Sequence, residues 1–274
     1  MQIPVTGKHA VQLDNEKATL LITLNAKALD YRSKRPILGD KAADDLVRSI
    51  EYDFAKFKSF DNDNMTVLRA KQYDDWIREF LTTHPDALIL YLGCGLDTRA
   101  LRIDPPPTVS WYDLDYPDVI ALREQFFAPR QGYAMIASSV IDPGWLEMIP
   151  RDRPTMIVAE GLFEYLAESD VRALLNRLTS HFERGELAFD VLSSFAVRLG
   201  RSQLEATTGA RHLWAVDDTR TIEQLDPKLK KSAELSVFAL TSVKQLPWVF
   251  RLLFTGAASV PRLRNMIRLL RYEF

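Results

Sequence analysis

The fold is decided by residues 87–100, which read ALILYLGCGLDTRA. The apolar run from Ala87 to Leu92 breaks into Gly93-Cys94-Gly95 and then into residues that open a helix, as when a buried parallel strand leads into a ligand-binding turn. Glycines fit such a turn because they tolerate a positive φ and let the backbone approach a ligand. Either Asp97 or Thr98 is expected to cap the helix that follows.

A second apolar run, Val109 to Leu114, ends in Asp115. This acid comes about twenty residues after the glycines, the separation at which an acid on the neighbouring strand reaches ribose hydroxyls. The dinucleotide pattern needs a third glycine where this chain has Thr98, so a close helix approach to a pyrophosphate is not indicated. The pattern favours a nucleoside site without a phosphate cradle, such as one for the adenosine of S-adenosylmethionine, over an NAD site.

Strand-like and helix-like segments alternate from Ala87 to Leu192, which predicts a parallel sheet with crossover helices. Further strands are predicted over 132–138, 155–160 and 186–192, and Ser169 or Asp170 is expected to cap a helix over 171–182. Three acids then lie at strand ends: Asp115, Asp142 and Glu160. Any one of them also fits a helix cap or a solvated turn, but ligands of open α/β sheets bind beyond these ends. The three together predict a ligand site.

Three motifs occur in the order LGCGLDTR (92–99), WYDLDYPDVI (111–120) and AEGLFEYL (159–166). They resemble the leucine carboxyl methyltransferase family, especially its polyketide-type, tetracenomycin-like O-methyltransferase branch, and the resemblance extends from about residue 26 to the C-terminus. It implies a Rossmann-like class I methyltransferase of the α/β class that uses S-adenosyl-L-methionine. The implied architecture is a mostly parallel seven-stranded sheet with helices on both faces, an N-terminal helical cover and a lid insertion.

The resemblance also implies roles for individual residues. Gly93 and Gly95 would contact the cofactor through their backbone, and Asp115 would accept hydrogen bonds from the ribose. The other implied cofactor-binding residues are Ser139, Val140 and Asp142 beside the adenine, Glu160 and Tyr165 near the cofactor, Arg69 on the methionine carboxylate, and Lys27. Arg99 and Arg123 also occupy motif positions, where structural ion pairing is the favoured interpretation. Cys94 is interpreted as a packing residue.

The chain has 274 residues, with 35 Lys and Arg against 37 Asp and Glu. This balance provides no basic field for nucleic acid, which is therefore not an expected partner. A single cysteine and the absence of a secretory pattern indicate a cytoplasmic protein. Residues 246–260 are interrupted by Pro247 and Arg251 and are too short to cross a membrane, so they are interpreted as packing or a lid. The four histidines form no ligand pair, so no metal is expected; a homo-oligomer is left open.

One methyltransferase domain over 1–274 is predicted, in four parts: a helical cover (1–80), a cofactor-binding core (87–192), a lid and substrate region (193–260) and a C-terminal element (261–274). The cover is predicted to hold helices over 16–30, 41–48 and 67–80, with Asp40 as a cap and no strand, and to lie over one sheet edge. Asp218 is expected to cap a short helix through Leu225. The tail, 262–274, is predicted to be a basic amphipathic helix that packs its apolar face internally.

Methyl transfer from a sulfonium requires mainly that donor and acceptor be held in line. A carboxylate is already ionised at neutral pH, whereas a phenol with a pKa of about 10 needs a base. The motifs contain acids but no histidine, and Tyr165 and His212 are the weak catalytic candidates. The predicted acceptor is a small-molecule, polyketide-like carboxylate. The alternatives are a hydroxyl acceptor, a catalytically silent nucleoside-binding module and, third, a nicotinamide enzyme.

Overall fold

The structure is a computed structural model, and it describes residues 9–10, 15–60 and 64–274. Its strands are β1 (His9–Ala10), β2 (Ile50–Glu51), β3 (Leu88–Leu92), β4 (Ser110–Asp115), β5 (Tyr133–Ala137), β6 (Thr155–Ala159), β7 (Gly185–Leu192), β8 (Lys230–Ser236) and β9 (Ile267–Glu273). Its α-helices are α1 (Thr19–Arg32), α2 (Lys41–Ser49), α3 (Asn64–Thr83), α4 (Arg99–Ile103), α5 (Pro117–Arg123), α6 (Glu168–His181), α7 (Ser194–Thr208), α8 (Arg220–Leu225), α9 (Trp248–Ser259) and α10 (Pro261–Arg264).

Seven of these strands form one sheet in the order β5-β4-β3-β6-β7-β9-β8. Every pairing is parallel except those of β9, which runs antiparallel to β7 and β8. Within β3, Leu88, Leu90 and Leu92 belong to the apolar core on one face, and Ile89 and Tyr91 to the core on the other. Helices cover both faces, because each is apolar and must be buried. The predicted mostly parallel seven-stranded sheet is confirmed.

The five predicted core strands are found at their predicted places, within about two residues at their ends, as is usual for such boundaries. The predicted helix caps were less accurate. Thr98 stands at the N-cap of α4 without capping it, because its hydroxyl donates to Asp40 instead. α6 begins after Ala167, so neither Ser169 nor Asp170 is its cap. Asp40 does cap α2, and Asp218 accepts the Arg220 N–H at the start of α8.

The N-terminal segment is helical as predicted, with α1, α2 and α3 close to their predicted bounds. Two residues of β1 pair in parallel with two of β2, so the prediction that this segment contains no strand was wrong. Strands this short carry too little periodicity to be detected from sequence. The start of the first predicted helix, at Glu16, lies in a 3-10 turn that precedes α1.

The predicted C-terminal helix was wrong: residues 267–273 form β9, inserted between β7 and β8. Leu269, Leu270 and Tyr272 are fully buried on the two faces of the sheet. The side chains of Arg268 and Arg271 on the same strand are also largely shielded from solvent. Arg268 pairs with Glu234, and Arg271 with Glu186. A strand with both faces covered has an apolar pattern that periodicity cannot distinguish from a helix.

The segment 193–260 differs from a simple lid. It supplies β8 to the sheet and packs Ile222 of α8 in the core, while α7 has no buried residue among its fifteen. Leu252 and Leu253 of α9 also remain exposed, whereas Phe254 is buried. Across the described ranges, none of the helices combines the length and apolar character needed to span a bilayer. The division of the chain into four parts stays a prediction.

Candidate active site

A cavity of about 240 Å³ opens at the carboxyl ends of β3, β4 and β6. Its wall is formed by the glycine turn (Gly93-Cys94-Gly95), by the residues that follow β4 and β6, and by parts of α1 and α3. Leu204 of α7 also lines it. The cavity brings together these predicted site residues: Lys27, Arg69, Gly93, Gly95, Asp115, Glu160 and Tyr165. The residues lie together because parallel strands end at one edge of the sheet.

The glycine turn bends sharply at the end of β3. Gly93 and Gly95 have φ of +65° and +51°, in the left-handed region that a residue with a Cβ adopts only at a cost. A Cβ on Gly93 would lie 3.0 Å from Leu162 Cδ1. The N–H groups of Gly93 and Cys94 both donate to the Leu114 carbonyl, which ties the turn to β4. Cys94 itself is buried, and burial raises the pKa of its thiol, in agreement with a packing role.

Asp115 ends β4 beside this turn. One carboxylate oxygen accepts the Gly95 N–H at 2.7 Å and the other accepts the Tyr116 N–H at 2.8 Å. Burial raises the pKa of Asp115, and these two N–H groups partly oppose that rise. Each oxygen has a second lone pair beyond its backbone partner, so the carboxylate can accept further hydrogen bonds from a ligand.

A buried ion network lies behind the turn and connects it to the N-terminal helices. Lys27 Nζ is 2.9 Å from Asp97 Oδ2, and Arg99, which is 0% exposed, pairs with Asp74, Asp97 and Glu160. Arg102 forms ion pairs with Asp40, Asp74 and Asp97. Burial opposes ionisation of Asp97, but the neighbouring cations outweigh it and hold its pKa well below the usual range. The N-terminal helices therefore do more than cover a sheet edge, since they contribute Lys27 and Asp74 to this network.

Arg69 extends the network into the cavity wall. Its Nε donates to Glu160 at 3.0 Å and its Nη1 to Asp190 at 2.9 Å. Asp190 also accepts the hydroxyl of Tyr73 and the N–H of Gly161. Burial works against the ionised form of Glu160, yet nearby positive charges lower its pKa to about 2. Arg69 and Glu160 therefore form an ion pair in the cavity wall.

The sequence profile of the leucine carboxyl methyltransferase family matches residues 20–134. The chain is 41% identical, over 97% of its length and 99% of the relative's, to the tetracenomycin polyketide synthesis O-methyltransferase TcmP of Streptomyces glaucescens. The chain belongs to the leucine carboxyl methyltransferase family. It is also 34% identical, over 81% of its length and 83% of the relative's, to the S-adenosyl-L-methionine-dependent methyltransferase dpfgK of Gibberella zeae.

Two solved structures have the same fold as this family member. One, from Thermobifida fusca and described only provisionally as a methyltransferase, has a TM-score of 0.59 at 16% identity, covering 90% of this chain and 93% of that one. The other, the N-methyltransferase NodS of Bradyrhizobium japonicum bound to S-adenosyl-L-homocysteine, has a TM-score of 0.50 at 12% identity, covering 92% and 97%. The comparisons confirm the predicted family, the fold, the O-methyltransferase class and S-adenosyl-L-methionine as the methyl donor.

Four predicted site residues of this family member do not line the cavity. Val140 is buried in the core and its carbonyl accepts from Trp145 and Arg177, while Asp142 is exposed and accepts the Gly144 N–H. Ser139 precedes them beyond β5, and the adenine contact proposed for all three stays a prediction. His212 lines a second cavity, of about 190 Å³, and its ring lies 5.2 Å from that of Tyr165.

Burial favours the neutral forms of both Tyr165 and His212. Burial raises the pKa of the Tyr165 hydroxyl well above its usual range and lowers that of the His212 imidazole.

Arg123 is fully buried against Asp113 and the Gly95 and Asp97 carbonyls, which supports ion pairing as its role. Within the described ranges, no group of three or more His, Cys, Asp or Glu is arranged to hold a metal.

Sequence reasoning missed several residues of the cavity wall. Asp190 lies behind that wall, fully buried near the end of β7, and this position is a signal that could have identified it, since the other strand-end acids were recognised in that way. Leu20 and Thr23 of α1, Glu164 after β6, and Leu204 of α7 carry no comparable signal. Their presence in the wall depends on how α1 and α7 pack across the sheet edge, which helical periodicity does not determine.

Proposed function

We propose that this family member methylates the carboxylate of a small, polyketide-like acid. The observation that carries the proposal is the similarity over 97% of the chain to TcmP, a polyketide O-methyltransferase by name. The described wall of this cavity also contains no histidine, and His212 lies in the wall of the second cavity. A carboxylate acceptor needs no base, because it is ionised at neutral pH.

The cavity residues suit the methyl donor. At the two left-handed glycines the turn presents only its backbone, and Asp115 retains acceptor lone pairs suited to a ribose diol. We propose that Arg69 holds the methionine carboxylate, and that Lys27 and Glu160 line the same end of the site. When bound, S-adenosyl-L-methionine supplies an electrophilic methyl group on a sulfonium. The contribution of the chain is then to orient the acceptor and exclude water.

The acceptor chemistry is tested by identifying the methylated atom. Incubation with S-adenosyl-L-methionine and a mixed library of aromatic acids and phenols is expected to produce methyl esters, detected by mass spectrometry. Mild alkaline hydrolysis should then release methanol from the product, because esters hydrolyse and ethers do not. An alkali-stable product would contradict the carboxylate proposal, and cofactor binding without transfer to any acceptor would indicate a silent binding module.

Replacing Arg69 with methionine is expected to weaken binding of S-adenosylhomocysteine about tenfold, or about 1.4 kcal/mol. The variant lacks the guanidinium that would hold the carboxylate of the ligand. Isothermal titration gives the affinity, and circular dichroism shows whether the variant is folded, since Glu160 and Asp190 lose a partner. Arg78→Met, on an exposed face of the same helix α3, is the matched control. Unchanged affinity would make Arg69 a structural residue only.

The charge balance and the cysteine content bear on where the enzyme is located and what it binds. We propose a cytoplasmic protein that acts on a small molecule and does not bind nucleic acid, on the basis of the balanced charge and the single cysteine. The exposed apolar residues of α9, among them Trp248 and Leu252, leave a homo-oligomer open. Light scattering of the purified chain measures its oligomeric state directly.

A further inference from the structure

We propose that the carboxyl group of Glu164 donates a hydrogen bond to the carboxylate of the acceptor and so selects acids in their ionised state. This inference rests on the proposed function, because it concerns how the same cavity recognises its acceptor. Glu164 follows β6 and lies in the cavity wall, next to Tyr165. Neither the strand-end pattern nor the resemblance assigns a role to its side chain.

The side chain of Glu164 is buried without a full set of partners. The residue is 6% exposed, and its Oε2 has no hydrogen-bond partner in the described part of the chain. A buried polar atom without a partner costs about 1–3 kcal/mol. Glu164 lines the cavity, so a small rotation of its side chain would bring this covered oxygen to a group that the ligand carries.

Glu164 also lies where the two cavities meet. Its carbonyl accepts the N–H of Leu213 at 2.7 Å, which joins it to the segment beside His212 in the second cavity. Leu204 of α7 lines both cavities. An acceptor that extends from the second cavity towards the glycine turn would pass Glu164 on its way to the methyl donor.

The charges around Glu164 favour a protonated carboxyl. Burial is the main cause, the negative charges of Asp190 and Glu160 act in the same direction, and Arg69 opposes them; together they raise the pKa of Glu164 to about 8. The titratable or charged groups on the surrounding elements are Arg69 and Tyr73 on α3, Lys27 on α1, Glu160 after β6, Asp190 on β7, and Tyr165 and His212 beside it. An arriving carboxylate adds negative charge and favours the neutral form further.

The protonation state decides what Glu164 can do for each acceptor. Below a pH of about 8 the carboxyl keeps its proton and Oε2–H can donate to one oxygen of the carboxylate, while the other oxygen attacks the methyl group. Above that pH the ionised carboxylate repels an anionic acceptor. No proton is transferred in the reaction, since the acid enters as its carboxylate and leaves as a neutral ester.

The test compares the wild-type chain with Glu164→Gln, whose amide donates the same hydrogen bond but does not titrate. For wild type, KM for an aromatic acid is expected to rise on the order of tenfold between pH 7 and pH 9. For Glu164→Gln, KM should stay nearly constant between pH 7 and pH 9, because the amide does not titrate. Glu164→Leu should raise KM at pH 7 on the order of tenfold, because it has no donor. Glu168→Gln, at the exposed start of α6, is the control and should follow wild type.

Two further measurements separate this proposal from the proposed function. Infrared difference spectroscopy should show a protonated carboxyl at pH 7 in the wild-type chain that is missing in Glu164→Gln, whatever the acceptor. Binding of S-adenosylhomocysteine should be equal in the two proteins. A wild type that esterifies acids with a flat KM profile overturns the role of Glu164 alone, and so does a Glu164→Gln protein whose KM rises with pH as that of the wild type does. A wild type that methylates only hydroxyls overturns the proposed function first.

Discussion

Arg99→Leu is expected to lower the free energy of unfolding by about 3–5 kcal/mol. The guanidinium is fully buried and pairs with Asp74, Asp97 and Glu160, and its removal leaves these carboxylates with fewer positive partners in a medium that solvates them poorly. The loss should appear as a lower midpoint of urea unfolding with an unchanged slope, measured by tryptophan fluorescence.

Arg172→Leu is the matched control for that experiment. Arg172 forms an ion pair with Glu168 at 3.6 Å on the exposed side of α6, where such pairs contribute little because water and salt screen them. Its unfolding curve should overlay that of the wild type. If Arg99→Leu were as stable as Arg172→Leu, the buried network would not hold the N-terminal helices to the sheet.

Asp115→Ala is expected to weaken S-adenosylhomocysteine binding by roughly 1.5–3 kcal/mol, the range for a hydrogen bond to a charged group. The variant lacks the acceptor proposed for the ribose hydroxyls. It also loses the bond from the Gly95 N–H that holds the glycine turn in place. Isothermal titration measures the affinity, and thermal unfolding followed by circular dichroism shows whether the fold is kept.

The control for Asp115→Ala is Asp152→Ala, which removes an exposed acid from the loop before β6. Its affinity for S-adenosylhomocysteine should equal that of the wild type. An Asp115→Ala protein that binds as tightly as this control would show that Asp115 serves the turn and not the ligand.

Much of the core was predictable because its signals are local. An apolar run that ends in Gly93-Cys94-Gly95 indicates a strand and a turn within fourteen residues, and the acids Asp115 and Glu160 follow strands that such runs define. Parallel strands must end at one edge of a sheet, so the cavity could be inferred from those positions alone. The same reasoning could have included Asp190, which lies near the end of β7, the next strand along the sheet.

The C-terminal strand was not predictable in this way. β9 lies between β7 and β8, and its apolar residues are buried on both faces, so its pattern resembles that of a helix. Its identity as a strand depends on partners that are distant in the sequence; Glu186 of β7, for example, pairs with Glu273. Strand propensity varies with such context more than helix propensity does.

By itself, the sequence of this protein determined the family, the parallel sheet and the strand-end acids, because short motifs and local periodicity encode them. Only the tertiary structure decided which charges neutralise one another and which carboxyl is left with an unpartnered oxygen. The ion pairs join α1, α3, the glycine turn and two strands. Lys27 pairs with Asp97, Arg69 with Glu160 and Asp190, and Arg99 with Glu160. Glu164 lacks such a full set of partners, and burial and its distant neighbours raise its pKa. Electrostatic interactions depend on distance in space and on burial, and neither quantity can be read along the chain.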